Sequence, residues 1–269
     1  GWRLPMLVVM RVLGLSDRDF AHIKDGAMHA ISLQTGIANA AEVGAHQAGA
    51  IRLVRYSWQQ FLLAQKRDPQ GQAIGGVSPV MAMLIRATLP SEMGAARAMS
   101  HAQAVSAIFQ LLVAGSDSSA TSMGSAIKML LDQPALADEI RADLDSKLDA
   151  FIEEVFRLEA AFQGHFRWVR QDTQLHGVSL PRGSRVFLIW AAGNRDESVF
   201  PHPDTIDLNR PNGRKHLTFG WGPHACIVRE LARSEIRIVL REMLTRTKNW
   251  QQIGPAPYMA SMSSRSLEH

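Results

Sequence analysis

The sequence predicts a mainly α (α+β) fold, a helical domain carrying small β-sheets. Three observations predict it. Most of the first 160 of 269 residues reads as helices separated by Pro, Gly and capping residues. Near residue 165 the texture changes to short alternating runs bounded by Gly and Pro, which is strand texture. Over 225–244 the pattern returns to a helix.

Taken in order, residues 4–15 form a short apolar helix ended by Gly14. Ser16 followed by Asp19 makes a capping-box-like start for a second helix. A long helix spans about 37–66, with Ile51, Val54, Trp58, Phe61 and Leu62 on one apolar stripe, and Asp68-Pro69-Gln70-Gly71 stops it. Ser78-Pro79 opens a short helix, proline being tolerated in a first turn. A second long helix covers about 100–131 and is apolar nearly all round (Val105, Ile108, Phe109, Leu111, Leu112, Val113, Ala114), the pattern of a buried central helix. Asp132-Gln133-Pro134 ends it and starts the next, and helix continues through 150–159. Strands follow at 166–169, 173–176 and 185–189, with turns at Gly177 and Pro181-Arg182-Gly183.

Hydrophobic content of 46% and charged content of 20% describe an ordinary globular chain, and the length suffices for one core or at most two small domains. A net charge of +4 without any Lys/Arg-rich block excludes a nucleic-acid arm. No apolar run is long enough to span a bilayer; 4–15 contains Pro5 and Arg11 and is too short. One cysteine excludes an internal disulfide and fits a reducing compartment.

That cysteine ends Phe219-Gly220-Trp221-Gly222-Pro223-His224-Ala225-Cys226, with Leu231-Ala232-Arg233 just beyond. Directly before a helix, the thiol faces the positive end of the helix dipole and unpaired N–H groups, which favour the thiolate. One reading is a small buried hydrophobe without chemistry. The other is a ligand loop, since two glycines within four residues mark a backbone that must bend or approach something closely, and a lone thiolate so presented can be the axial ligand of a haem iron.

The segment resembles the cysteine-ligand loop of the cytochrome P450 family, the haem-thiolate monooxygenases. The family pattern Phe-Gly-x-Gly-x-His-x-Cys-x-Gly, then Leu-Ala-Arg, is matched at Phe219, Gly220, Gly222, His224, Cys226, Leu231, Ala232 and Arg233. Val228 stands where the family has Gly or sometimes Ala, and adds branched bulk toward the porphyrin. The resemblance implies one haem domain over 1–269, of the soluble bacterial type, with the N-terminal part and the extreme C-terminus missing.

Inside the apolar helix lies Ala114-Gly115-Ser116-Asp117-Ser118-Ser119. Glycine in a helix interior costs about 1 kcal/mol against alanine, and an acid with hydroxyls is unfavourable there unless partnered. Such a run is either a kink with serines bonded back to the preceding turn or a functional site. It is similar to the family's Ala-Gly-x-Asp/Glu-Thr-Thr, matched at Ala114, Gly115 and Asp117, with Ser118 replacing the threonine that guides protons. The resemblance makes Asp117 and Ser118 the catalytic pair and sets Ala114 and Gly115 beside the cofactor.

Glu154 and Arg157 are a commonplace i,i+3 pair. In the family such a pair joins a later arginine, here Arg210, in a buried structural network. By the same resemblance Cys226 ligates the iron, Arg167 and His224 hold haem propionates, arginine through its bidentate geometry, and Phe219 and Gly220 shape the loop. Asn194-Arg195-Asp196 matches a structural segment of the family. Arg229, Arg233, Arg237 and Arg241 recur every four residues, either as a solvated face or as a docking patch for an acidic ferredoxin or flavodoxin. Substrate contacts fall at Leu111, Ala114, Ser118, Phe162 and Gln163, with a second region near 259–262.

The implied cofactor is haem b (iron protoporphyrin IX), with electrons ultimately from NAD(P)H through a ferredoxin or flavodoxin and its reductase. The implied protein is a cytoplasmic monomer acting on a small apolar substrate, without a nucleic-acid partner or a visible membrane anchor. The alternative is a catalytically silent haem-binding or scaffold relative. Zinc is disfavoured, since Cys226 and His224 supply two ligands where a structural site needs four. Gly115-Ser116-Asp117-Ser118 lacks the second glycine of a nucleophile elbow, and no phosphate loop or dinucleotide fingerprint occurs.

Overall fold

A computed structural model describes residues 1–35, 38–91, 94–259, 261 and 263–267. Ile37, the expected start of the first long helix, and Met262, in the expected second substrate region, lie outside the described residues. The chain divides into two compact units, Gly1–Ala120 and Thr121–His269.

The first unit holds α1 (Arg3–Val12), α2 (Phe20–Thr35), α3 (Val43–Arg67), α4 (Pro79–Arg86), the hairpin β1 (Thr88–Ser91) and β2 (Gly94–Ala98), and the start of α5 (His101–Asp132). Local chemistry sets the boundaries. Gly14, at φ +73°, follows α1 in a conformation that ordinary side chains resist. The Ser16 hydroxyl accepts the Arg18 N–H at 3.3 Å, and the Ser78 hydroxyl accepts the Met81 N–H at 3.2 Å with Pro79 in the first turn. α3 stops because the Asp68 carboxylate turns back to accept N–H groups from Gln72 (2.9 Å) and Ala73 (2.8 Å). Met6, Met10, Leu13, Ile23, Leu53, Ile108 and Leu112 form the buried core.

Two expectations are corrected in this unit. α3 begins at Val43, and its apolar stripe faces outward: Ile51, Val54, Trp58 and Leu62 are exposed, and only Phe61 of the five is buried. The reason is glycine. A Cβ on Gly49 would collide with the His29 ring, and one on Gly26 would lie 2.6 Å from Leu53 Cβ. Close approach of α2 and α3 therefore turns the Gly49–Leu53–Tyr56 face inward. The run read as helical also contains the β1–β2 hairpin, with Thr88 opposite Ala98 and Leu89 opposite Arg97.

The second unit holds the rest of α5, then α6 (Pro134–Ala142), α7 (Leu144–Leu158), β3 (His165–Trp168), β4 (Thr173–Leu175), β5 (Val178–Leu180), β6 (Arg185–Leu188), α8 (Trp190–Gly193) and α9 (Arg229–Arg246). β3 pairs antiparallel with β6, Phe166 opposite Phe187. β4 pairs with β5, a strand the sequence reading omitted, across His176-Gly177, both at positive φ as a tight two-residue hairpin requires. α7 and α9 carry the core through Phe151, Val155, Phe156, Ile236 and Leu240. Among the described residues no helix is long and apolar enough to cross a membrane.

Candidate cofactor-ligand loop and its supports

α9 begins at Arg229 with Val228 as its N-cap, and no side chain caps its free N–H groups. Cys226 lies two residues before that N-cap and is half-buried. Gly220 at φ +70° and Gly222 at φ +75° need to be glycine; the short 3-10 turn Gly222–His224 follows. The Cys226 N–H donates to the Phe219 carbonyl at 2.7 Å and closes the loop. Val228 has φ −108°, open to any residue, so its backbone does not demand the family's glycine.

Phe219 is held from behind. Its ring meets Phe156 edge-on at 4.8 Å and lies 5.6 Å from His216, with the Arg233 guanidinium 4.8 Å over its face. Glu153 joins the last two. Its carboxylate accepts Arg233 Nε at 2.7 Å and Nη2 at 3.1 Å, and His216 Nε2 at 3.0 Å. His216 Nδ1 accepts the Thr218 N–H, so Nε2 carries the proton it gives to Glu153. Burial alone would raise the Glu153 pKa; the bonds from His216 and Arg233 outweigh it and bring it down to about 2. Asn194 fixes the approach to the loop, accepting the Leu217 N–H at 2.6 Å and donating to Thr218 Oγ1 at 2.9 Å.

Glu154 lies one residue further along α7, hence about 100° around the helix, and makes a separate network. Arg157 grips it bidentately at 2.7 and 2.8 Å, and Arg210 Nε adds a bond at 3.1 Å. The structure thus brings Glu154, Arg157 and Arg210 together, both guanidinium groups above the Phe200 ring.

The arginine stripe on α9 faces carboxylates on α7. Arg233 pairs with Glu153, Arg237 with Asp149 at 2.9 Å, and Arg241 with Asp145 at 2.8 Å, while Arg229 lies 3.7 Å from Glu230. Two antiparallel helices with matching four-residue spacing form a ladder, and the stripe is charge-compensated. By contrast, exposed Arg167 and His224 form no ion pair with any described carboxylate; Arg167 Nη1 donates only to the Phe166 carbonyl, at 2.9 Å.

In the first unit α5 passes through Ala114–Ser118 without a break. Ser116 and Ser118 donate to the Leu112 and Ala114 carbonyls at 2.7 and 2.8 Å, the back-bonding to a preceding turn. Gly115 admits α1, since a Cβ there would stand 2.7 Å from Val9 Cγ2. Asp117 has no ion-pair partner among the described residues, and burial pushes its pKa up to about 6. Leu111 is half-buried at the edge of the core. In the second unit Phe162 bridges to Ser264, and the Gln163 N–H donates to the Ser263 carbonyl at 2.8 Å. Gln163 and Met259 line one 360 Å³ cavity with Phe187, Ile189, Tyr258 and Arg265.

Glu153 and His216 escaped the sequence reading. The available signal was the spacing of Asp145, Asp149 and Glu153, which mirrors Arg233, Arg237 and Arg241.

The chemistry of Cys226, Arg167 and His224 is of the kind haem needs. Among the described residues no group of three or more His, Cys, Asp or Glu could hold a bare metal ion. A single thiolate suffices for an iron whose other ligands come from a porphyrin, and two unspent basic groups suit its propionates.

Residues 63–249 match the family model described as Cytochrome P450. The chain is 34% identical over 266 residues to "Cytochrome P450 144" of Mycobacterium tuberculosis, covering 99% of this chain and 58% of that protein. It thus spans about three-fifths of the length of the curated relatives it matches. By fold it resembles P450BioI in complex with hexadec-9Z-enoic acid ligated acyl carrier protein (TM-score 0.86, 24% identity, 98% of this chain and 64% of that one). It also resembles cytochrome P450 CREJ in complex with (4-ethylphenyl) dihydrogen phosphate (TM-score 0.87, 22% identity, 99% and 63%).

Proposed function

The chain belongs to the cytochrome P450 family, and on that premise we propose that it is a haem domain of a monooxygenase that inserts one oxygen atom from dioxygen into a small apolar substrate. Electrons reach it from NAD(P)H through a ferredoxin or flavodoxin and its reductase, in the cytoplasm. The observation that carries this reading is the lone Cys226, placed before the uncapped start of α9 by a loop closed on Phe219.

By the resemblance, Cys226 would hold the iron of haem b, Arg167 and His224 would take its propionates and Phe219 and Gly220 would shape the ligand loop, while Ala114 and Gly115 carry the motif the family sets beside its cofactor. When bound, the haem supplies dioxygen activation and oxygen transfer, chemistry that no side chain offers. The chain's residues do the rest. Cys226 would supply the metal's thiolate ligand. Asp117, with a pKa near 6, holds or releases a proton close to neutrality. Ser118, its hydroxyl parked on the Ala114 carbonyl, can rotate to pass that proton on. By the resemblance, Leu111 in the first unit and Phe162 and Gln163 in the second would contact substrate.

The test is spectroscopic. The haem-loaded, reduced protein under carbon monoxide is expected to show a strongly red-shifted Soret band, and Cys226→Ser to abolish it. No haem uptake, or an unshifted band in the parent protein, overturns the reading.

A further inference from the structure

We propose that Glu153, His216 and Arg233 are positioning residues for the Cys226 loop: they clamp the Phe219 ring, and Phe219 holds the Cys226 amide. The proposal deepens the haem-ligand reading and rests on it for its spectroscopic consequence only.

The chain of contacts is short and continuous. Glu153 is buried in the middle of α7, in a frame fixed by Phe151, Val155 and Phe156. It fixes two groups that approach the same ring from different elements, His216 from the loop and Arg233 from α9. Phe219, half-buried, is thus contacted by Phe156, His216 and Arg233, and its carbonyl accepts the Cys226 N–H at 2.7 Å. Asn194 fixes the approach at Leu217 and Thr218, and the turn bonds Gly220 N–H to Leu217 and Ala225 N–H to Gly222 shape the loop, but the Cys226 N–H itself is held through the Phe219 carbonyl. An apolar cluster would bury the ring as well, but directional bonds to one carboxylate fix its place. The next rungs of the same ladder, Arg237–Asp149 and Arg241–Asp145, are not among the groups packed on Phe219, so they serve as controls within one helix pair.

Cys226 is the only cysteine in the chain, so its alkylation by iodoacetamide reports the loop with no haem present. His216→Leu and the isosteric Glu153→Gln are expected to raise that rate about tenfold, the effect of removing one hydrogen bond's worth of closure. His216→Gln, whose amide reaches the same carboxylate, restores the parent rate, and Asp149→Asn leaves it unchanged. In the haem-loaded protein the first two variants shift part of the carbon monoxide Soret band to the unshifted position of a neutral thiol, with Asp149→Asn again unaffected. An unchanged or lowered alkylation rate in both His216→Leu and Glu153→Gln, or an equal rise in Asp149→Asn, overturns the proposal. A parent protein that takes up no haem sinks the monooxygenase reading alone, because the alkylation comparison still stands.

Discussion

The middle of α5 in the first unit and the α7–α9 frame in the second handle a carboxylate in opposite ways. Asp117 stands without a cation among the described residues, and burial drives its pKa up to about 6. Glu153 is also buried, but Arg233 and His216 hold it down at about 2. Desolvation acts on both; the partners decide the sign. The first unit packs aliphatic groups and leaves its one interior acid on α5 free to take a proton. The second invests buried charge in paired carboxylates that hold the segment leading to Cys226.

The largest expected effect breaks the second region. Arg157 is fully buried and bidentate on Glu154, so Arg157→Met leaves part of that buried charge uncompensated and costs about 3–5 kcal/mol. Denaturant unfolding measures it, and a loss near zero would mean that the charges do not hold this unit. The matching cut in the first region is Leu112→Ala, a fully buried side chain on α5, at about 2–5 kcal/mol.

A pH titration sharpens the contrast. The depressed Glu153 pKa contributes stability that is present above its unfolded value of 4.5 and is lost as pH falls through about 2. Asp117 has the opposite sign: its folded pKa is raised, so stability declines as pH climbs from its unfolded value of 3.8 to about 6. Glu153→Gln should flatten the acid limb of the unfolding curve, and Asp117→Asn the fall between pH 4 and 6. Should both variants keep the parent profile, neither carboxylate is tuned as described.

Legibility followed from how local each cause was. Helix limits at Gly14, Asp68 and Ser78 could be read because the responsible side chain lies within a few residues of the boundary. The face of α3 could not, because Gly26 and Gly49 act across a helix pair and outweigh the apolar stripe. In the site, Cys226 and the Glu154–Arg157–Arg210 set carried recognisable spelling. Glu153 and His216 did not, since their partners lie 80 and 63 residues from Glu153 in the chain. Adjacent glutamates on one helix serve two networks, and only the fold shows which neighbour each one faces.

The smallest expected effect lies at the outer end of the ladder. Arg241 and Asp145 are 44% and 83% exposed, so water already solvates both charges. Removing the pair with Asp145→Asn is expected to cost little, because an ion pair this exposed contributes little net stability. The cost should shrink further in about 1 M salt, where the screening length falls to roughly 3 Å. The inner rung, Arg233–Glu153, shares the same helices but is largely buried, and its cost should survive salt. Unfolding both variants at low and high salt tests whether the ladder is graded. If Asp145→Asn proved as costly and as salt-resistant as Glu153→Gln, burial would not be what separates the inner rung from the outer one.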